Sequence, residues 1–264
     1  MTLSLTGKRG LVMGVANDRS IAWGIASALH AQGAELAFTY QGDAFGRRVA
    51  PLAEGIGVDL LIDLDVTDEA SMDAGFATIA DRWGKLDFVV HAIAFSDKAE
   101  LAADFRFRDT SRANFAQSMM ISCYSFIDVA RRASALMTEG GSLTTLTFEG
   151  SSRVYPCYNV MGVAKAGLEA AVRYLAADMG PEGIRVNAIS PGPMKTLAGS
   201  AIGAARRTYR HSEINAPMQA NATLDAIGGT AVWLTSDAGA CTSGQIVMVD
   251  GGYHVMAMPR IENL

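Results

Sequence analysis

The chain has 264 residues, half of them hydrophobic, and a formal net charge of −5 at pH 7. A chain of this length and composition can bury a large core within one domain, and its negative charge offers no basic face to nucleic acid. No apolar run reaches the ~18 residues that a membrane-spanning helix requires, and the N-terminus lacks the pattern of a secretory signal. We therefore expect neither a membrane nor a nucleic-acid partner.

Cysteine and histidine are few and dispersed. Cys123, Cys157 and Cys241 form no CxxC pair, and the four histidines are scattered. An odd number of separated cysteines is typical of a reducing compartment and argues against structural zinc. Carboxylates form no evident cluster either, so we expect a cytoplasmic protein without a metal site.

Short aliphatic runs alternate with longer helix-like stretches along the whole chain. The predicted strands are Arg9–Met13, Glu35–Tyr40, Leu60–Leu64, Phe88–Ala92, Ser142–Thr147, Arg185–Ile189 and Gln245–Val249. The predicted helices include Ile21–Gln32, Ser71–Trp83, Arg112–Met137, Tyr158–Met179 and Leu224–Thr235. Strands that are apolar throughout indicate a parallel sheet covered on both faces. The alternation predicts an α/β chain: a single-domain, Rossmann-type, doubly wound parallel sheet of about seven strands spanning residues 1–264.

The turn after the first strand is a candidate phosphate site, although it contains no GxGxxG. Gly14 can make the turn, Ser20 can offer a hydroxyl and a backbone N–H to a pyrophosphate, and Gly24 permits close helix–sheet packing. An ordinary strand-to-helix turn fits the same residues.

Three later strand ends carry polar side chains. Gln41 stands where an acidic residue would bind a ribose, and Arg47 and Arg48 follow it. Asp65 can accept a hydrogen bond from an adenine amino group, or it can cap the next helix. His91, at the end of the fourth strand, is interpreted as a hydrogen-bonded structural residue rather than a general base.

Tyr158 and Lys165 are seven residues apart on a predicted helix. This spacing places them on one face, roughly 10 Å apart along the axis. A phenol and an ammonium so arranged suit a bound cofactor and a developing oxyanion, although alone the pair also fits a half-exposed tyrosine beside a solvated lysine.

The segment 195–217 is predicted to be irregular and mobile. Long loops in compact domains usually serve function, and the many small residues here suit a helix that orders over a ligand. Arg206, Arg207 and Arg210 either form a solvated helix face or meet an acidic partner.

From about Leu5 to Met258 the chain resembles the short-chain dehydrogenase/reductase superfamily, and within it the bacterial NADH-dependent enoyl-acyl-carrier-protein reductases of type II fatty-acid synthesis. The resemblance is carried by Gly14-Val15-Ala16 with Ser20–Ala26, by Tyr158–Lys165 with Met161 inside, by Gly180–Ser190 and by Val249–Gly252. The first two runs indicate enoyl reductases in particular, whereas the last two are shared across much of the superfamily.

The resemblance implies a set of site residues and partners. Lys165 is implied to hold the nicotinamide ribose, and Gln41 fits the NADH-using members, while the nearby arginines leave NADPH open. The implied partners are acyl carrier protein, meeting the three arginines, and identical subunits in a homotetramer. The implied dinucleotide site comprises Gly14, Ser20, Ile21, Gln41, Asp65, Val66, Ile93, Lys165, Met194 and Thr196, and the implied substrate site comprises Ser96, Phe148, Tyr158 and Met161.

The Tyr158–Lys165 spacing fits reduction of the trans-2 double bond of an enoyl thioester. Hydride adds to C3 while charge develops on an oxygen two carbons away, so the phenol must lie farther from the hydride donor than in a ketoreductase. Met161 occupies the ketoreductase position, four residues before Lys165. The chain departs from many members at Phe148, where a second tyrosine is usual. Two alternatives remain: a short-chain reductase for another unsaturated or carbonyl substrate, and a non-catalytic dinucleotide-binding homologue.

Overall fold

The computed structural model describes residues 2–264 as a seven-stranded parallel sheet with helices on both faces. The strands are β1 Arg9–Met13, β2 Glu35–Tyr40, β3 Leu60–Asp63, β4 Phe88–His91, β5 Gly141–Leu146, β6 Ile184–Pro191 and β7 Ile246–Val249. The helices are α1 Ile21–Ala31, α2 Gly42–Gly55, α3 Glu69–Trp83, α4 Arg112–Met119, α5 Ser125–Ser134, α6 Val160–Met179, α7 Ala205–Asn215 and α8 Leu224–Thr235. None of the helices in this part of the chain is long and apolar enough to cross a membrane.

The sheet has the order β3-β2-β1-β4-β5-β6-β7, and every neighbouring pair is parallel. Successive strand residues point to opposite faces, so Leu11 joins the core beneath α3, α5 and α6, and Val12 joins the core beneath α1, α2 and α8. The strand order reverses between β1 and β4, which is where ligands bind in such sheets. The predicted fold class is confirmed.

Helices α1 and α8 are in close contact because each has a glycine that faces a side chain of the other helix. A Cβ at Gly24 would lie 2.8 Å from Leu224 Cβ, and one at Gly228 would lie 2.6 Å from Ala28 Cβ. Gly24 therefore permits contact between two helices, and the predicted helix–sheet contact is wrong.

Several predicted boundaries are also wrong. Helix α2 was not predicted, because Gly42, Gly46 and Pro51 interrupt its helical pattern. The predicted helix Arg112–Met137 ends at Ser134 and is divided by a π-helical turn, Met120–Tyr124. The segment predicted to be irregular contains α7 and a 3₁₀ turn.

Candidate active site

The ends of β1 and β4 meet at Gly14. Its φ of +97° lies in the left-handed region, and a Cβ there would lie 2.2 Å from the Ala92 carbonyl oxygen. Only glycine avoids both the backbone strain and this collision. This close approach lies at the carboxyl edge of the sheet, where the resemblance implies a dinucleotide.

The N-terminus of α1 lies at this same edge, after the turn that follows β1. Ser20 is the N-cap residue, and both its hydroxyl and its backbone N–H donate to the Asn17 carbonyl, at 2.6 and 3.2 Å. Among the hydrogen bonds of residues 2–264, none engages the amides of Ile21 and Ala22. These amides, with the helix dipole, can bind an anion, whereas Ser20 itself shapes the turn.

Gln41 and Asp65 meet at the ends of β2 and β3. Gln41 Nε2 donates to Asp65 Oδ2 at 2.8 Å, and Thr67 donates to Asp65 Oδ1 through its amide and its hydroxyl. Burial raises the pKa of Asp65, but these hydrogen bonds outweigh it and lower the pKa overall. Asp68 caps α3, so the alternative interpretation of Asp65 as that helix's cap is wrong.

The other implied dinucleotide residues line the same edge. Val66 and Ile93 pack against the core on one face of the sheet, and Ile21 and Met194 pack against the core on the other face. Thr196 follows β6 and accepts a hydrogen bond from the Gly199 amide at 3.0 Å. The structure thus arranges all of them along the ends of the strands.

Tyr158 lies before α6, in a turn, and not on the predicted helix. Cys157 and Asn159 on either side have φ of 64° and 44°, and Gln219 is the other non-glycine residue with positive φ in residues 2–264. Asn159 Nδ2 donates to the Glu100 carbonyl at 2.8 Å, which anchors this conformation. Such strain persists where the surroundings impose it, commonly at functional sites.

An apolar cluster surrounds the Tyr158 ring. We call it the Tyr158 cluster; its members are Leu101, Phe148, Tyr155, Tyr158, Met161 and Ile202. The Phe148 ring centroid lies 5.0 Å from that of Tyr158 and 4.7 Å from that of Tyr155. Burial, and secondarily the charge of Glu169, raise the pKa of Tyr158, so the phenol stays protonated at neutral pH. The Tyr158 phenol is therefore a protonated hydrogen-bond donor in apolar surroundings.

Sequence reasoning missed Leu101 and Ile202 and left the reach of Tyr155 open. Leu101 and Ile202 come from separate segments, joined where the Gly203 amide donates to the Leu101 carbonyl at 2.9 Å. Tyr155 does reach the cluster with its ring, while its hydroxyl donates to Glu149 Oε2 at 2.6 Å. No local pattern in the sequence marks contacts between such distant segments.

Lys165 is buried on α6, and its Nζ donates to the Leu146 carbonyl at 2.8 Å. Burial lowers the pKa of Lys165 to about 8, so the ammonium still predominates at neutral pH. Behind it, His91 is fully buried, with one ring nitrogen on Thr145 Oγ1 and the other on Ser125 Oγ. Burial, followed by the charge of Lys165, lowers the pKa of His91 to about 3. The predicted structural interpretation of His91 fits these contacts.

Ser96 is the implied substrate residue that the structure does not join to the Tyr158 cluster. Its hydroxyl shares hydrogen bonds with the Asn114 side chain, at 3.1 and 3.2 Å. Within residues 2–264, no group of histidine, cysteine, aspartate and glutamate side chains is arranged to hold a metal ion. The titratable groups that the structure brings to this part of the molecule include the buried Tyr158 phenol and the buried Lys165 ammonium.

Comparisons with known proteins agree with the sequence motifs. A family model described as enoyl-(acyl carrier protein) reductase matches residues 14–254. The chain is 56% identical over 260 residues to enoyl-[acyl-carrier-protein] reductase [NADH] 2 of Rhizobium meliloti, covering 98% of this chain and 96% of that protein. A solved structure of the enoyl-(acyl-carrier-protein) reductase of Anaplasma phagocytophilum, in complex with NAD, has a TM-score of 0.94 at 53% identity and covers 97% of each chain. The resemblance is confirmed, and the chain belongs to the enoyl-(acyl carrier protein) reductase family.

Proposed function

We propose that the chain catalyses NADH-dependent reduction of the trans-2 double bond of enoyl thioesters carried on acyl carrier protein, in fatty-acid elongation. The observation that carries the proposal is the buried, protonated Tyr158 phenol in the apolar Tyr158 cluster, with the buried Lys165 ammonium on the following helix. The R. meliloti and A. phagocytophilum relatives, named for this activity, support it.

The residues at the sheet edge fit a dinucleotide. Gly14 lets the turn after β1 pass against the Ala92 carbonyl, the free amides at the start of α1 suit a pyrophosphate, and Gln41 with Asp65 offers polar groups to an adenosine. We propose NADH over NADPH because the Asp65 carboxylate, 2.8 Å from Gln41, would repel an added phosphate at this end of the site. Arg47 and Arg48 are exposed on α2, and within residues 2–264 neither of them forms an ion pair with Asp65.

Tyr158 and Lys165 have separate roles in the proposed reaction. NADH, when bound, supplies the hydride that adds to C3 of the substrate. Tyr158 donates a hydrogen bond to the thioester oxygen and stabilises the negative charge that develops there, a contribution on the order of 3–4 kcal/mol for such donors. Lys165 binds the ribose hydroxyls through its ammonium. C2 is then protonated from solvent.

The lid and the assembly belong to the same proposal. Residues 195–217 would act as a mobile substrate-binding lid within a single catalytic domain; Ile202 in this segment already packs in the Tyr158 cluster. Arg206 and Arg207 on α7 would meet acyl carrier protein, and identical subunits would form a homotetramer. All three cysteines are free thiols, which supports the predicted cytoplasmic location.

The test is the loss of NADH absorbance with a trans-2-enoyl thioester and with a 3-ketoacyl thioester. We expect oxidation with the first substrate and none with the second. Tyr158→Phe should lower kcat by about 10²–10³-fold while the Kd for NADH holds, and Lys165→Ala should weaken NADH binding. Tyr174→Phe, which removes an exposed phenol from α6, is the control.

Equal turnover by Tyr158→Phe and Tyr174→Phe would show that the phenol has no part in the reaction. Oxidation with the ketoacyl substrate alone would favour the carbonyl reductase, and oxidation with neither would favour the non-catalytic homologue.

A further inference from the structure

Glu169 lies on α6, one turn after Lys165, and has no role in the mechanism described above. Its Oε1 accepts hydrogen bonds from Thr147 Oγ1 at 2.7 Å and from Ser151 Oγ at 2.6 Å. These two hydroxyls stand at the two ends of segment 147–151. One carboxylate oxygen therefore ties both ends of this segment to α6.

Segment 147–151 forms one wall of the Tyr158 site. It carries Phe148, whose ring lies edge-on to Tyr158 at 5.0 Å. A Cβ at Gly150 would lie 2.4 Å from Tyr158 Cδ1, and a Cβ at Gly162 would lie 2.7 Å from the Gly150 carbonyl oxygen. The segment is thus in close contact with the phenol on one side and α6 on the other, and a small displacement of it moves the phenol.

We propose that Glu169 is a positioning residue: it fixes segment 147–151 against Tyr158 and supplies the negative charge beside the Tyr158–Lys165 pair. The inference rests on the function proposed above. Helix α6 also makes a hydrogen bond to the residue that precedes this segment, since Lys165 Nζ donates to the carbonyl of Leu146. Loss of Glu169 would remove both side-chain hydrogen bonds that join Thr147 and Ser151 to α6.

The charge of Glu169 acts on both groups of the pair. It raises the pKa of Tyr158, adding to the effect of burial. The pKa of Lys165, which burial lowers, is raised by the charge of an ionised Cys123 and by that of Glu169. The other titratable groups facing Lys165 are Cys123, from the π-helical turn, and His91, from β4. Burial raises the pKa of the Cys123 thiol, and His91 is neutral above about pH 3. Glu169 is therefore the anion that supports the Lys165 ammonium at neutral pH.

The sign of the pH effect follows from this arrangement. Removing the charge of Glu169 lowers the pKa of Lys165, so the ammonium loses its proton at lower pH. Because the ammonium binds the ribose, the alkaline loss of NADH affinity should move to lower pH. A residue that only packs would leave this profile in place.

The experiment compares Glu169→Gln with Glu182→Gln, which neutralises an exposed glutamate just beyond the end of α6. NADH Kd is measured by fluorescence from neutral to alkaline pH, and kcat is measured with a trans-2-enoyl thioester. Glutamine keeps an acceptor oxygen but loses the charge that strengthens both hydrogen bonds, so for Glu169→Gln we expect kcat to fall about tenfold and the alkaline limb of NADH binding to shift to lower pH. Glu182→Gln should match the wild type in both.

Ser151→Ala separates the two actions and remains informative if Glu169→Gln does not fold. It removes one hydroxyl and keeps the charge, so kcat should fall about threefold with the NADH pH profile unchanged. If Glu169→Gln had the same kcat and the same pH profile of NADH binding as Glu182→Gln, the proposal would be overturned. A wild-type kcat for Ser151→Ala would also overturn it. A wild-type protein that binds NADH but reduces no enoyl thioester would instead contradict the proposed function, and the binding profile would still test the charge of Glu169.

Discussion

At the residue scale, Tyr158 and Lys165 could be selected from the sequence as candidate catalytic residues, but the conformation of Tyr158 could not be predicted. The spacing of seven residues predicts two side chains on one helical face, whereas α6 begins at Val160 and leaves Tyr158 in a turn. The cause is the positive φ of Asn159, held by its hydrogen bond to Glu100, which is 59 residues away in the chain. A tertiary contact of that separation leaves no local pattern. For the same reason the two hydroxyls on Glu169 could not be predicted.

Phe148 offers a prediction at this scale. Phe148→Tyr puts a new hydroxyl donor into the apolar Tyr158 cluster. The Tyr155 hydroxyl does not already supply such a donor, because it is hydrogen-bonded to Glu149. One net hydrogen bond is worth about 1 kcal/mol, so we expect kcat/KM for short and long acyl chains to change by unequal factors, differing about fivefold. Steady-state kinetics over a series of enoyl thioesters measures this.

The control for Phe148→Tyr is Phe107→Tyr, which adds the same hydroxyl to an exposed ring. If both variants gave the wild-type chain-length profile, position 148 would contribute packing and no selectivity.

At the element scale, helices with a clear apolar period were predictable even where they contain glycine, as α6 and α8 do. Helix α2 contains Pro51 and escaped prediction, and the π-helical turn that divides α4 from α5 has no sequence signature. That turn still matters for the site, because Ser122 within it bonds the Phe95 carbonyl and lies 3.8 Å from Met161 Sδ. π-Helical turns of this kind are frequent at functional sites.

Helix α7 carries the second prediction. Arg206 and Arg207 are exposed, and neither has an ion-pair partner in residues 2–264, whereas Arg210 pairs with Glu213 at 3.0 Å. The double reversal Arg206→Glu with Arg207→Glu should raise KM for an acyl-carrier-protein substrate about tenfold, since exposed charges mainly govern encounter, and should leave KM for a coenzyme A analogue nearly unchanged. Kinetics at two salt concentrations measures this, because screening weakens the effect.

Arg82→Glu is a charge-reversal control remote from α7, since Arg82 is exposed at the far end of α3, where it pairs with Asp59 at 2.6 Å. Equal increases in KM for both substrates in the α7 variant would contradict a docking role and favour the solvated helix face.

At the scale of the whole molecule, the strand–helix alternation was sufficient to predict the sheet, because parallel strands covered on both faces must be apolar on both. Val89 and Val90 show this directly: they are adjacent in β4, both fully buried, and belong to opposite cores. What the alternation does not reveal is the outer surface. Apolar side chains exposed on the long helices are Phe115, Met120, Tyr124, Ile127, Val163 and Tyr174.

This apolar surface supports the last prediction, a homotetramer. Tyr174 is 80% exposed, and Ile127 and Leu175 line the same groove between α5 and α6; contiguous apolar surface of this kind marks protein interfaces. The wild type should have a light-scattering mass four times the 27.8 kDa of one chain. Ile127→Glu with Tyr174→Glu should give a smaller species, because a buried unpaired charge costs several kcal/mol and Asp178 in the same groove would repel the new carboxylates. Leu3→Glu, at an exposed site near the N-terminus, should leave the mass unchanged. A wild type that elutes as a single chain would refute the assembly, and a tetramer that survives the double variant would place the interface elsewhere on the molecule.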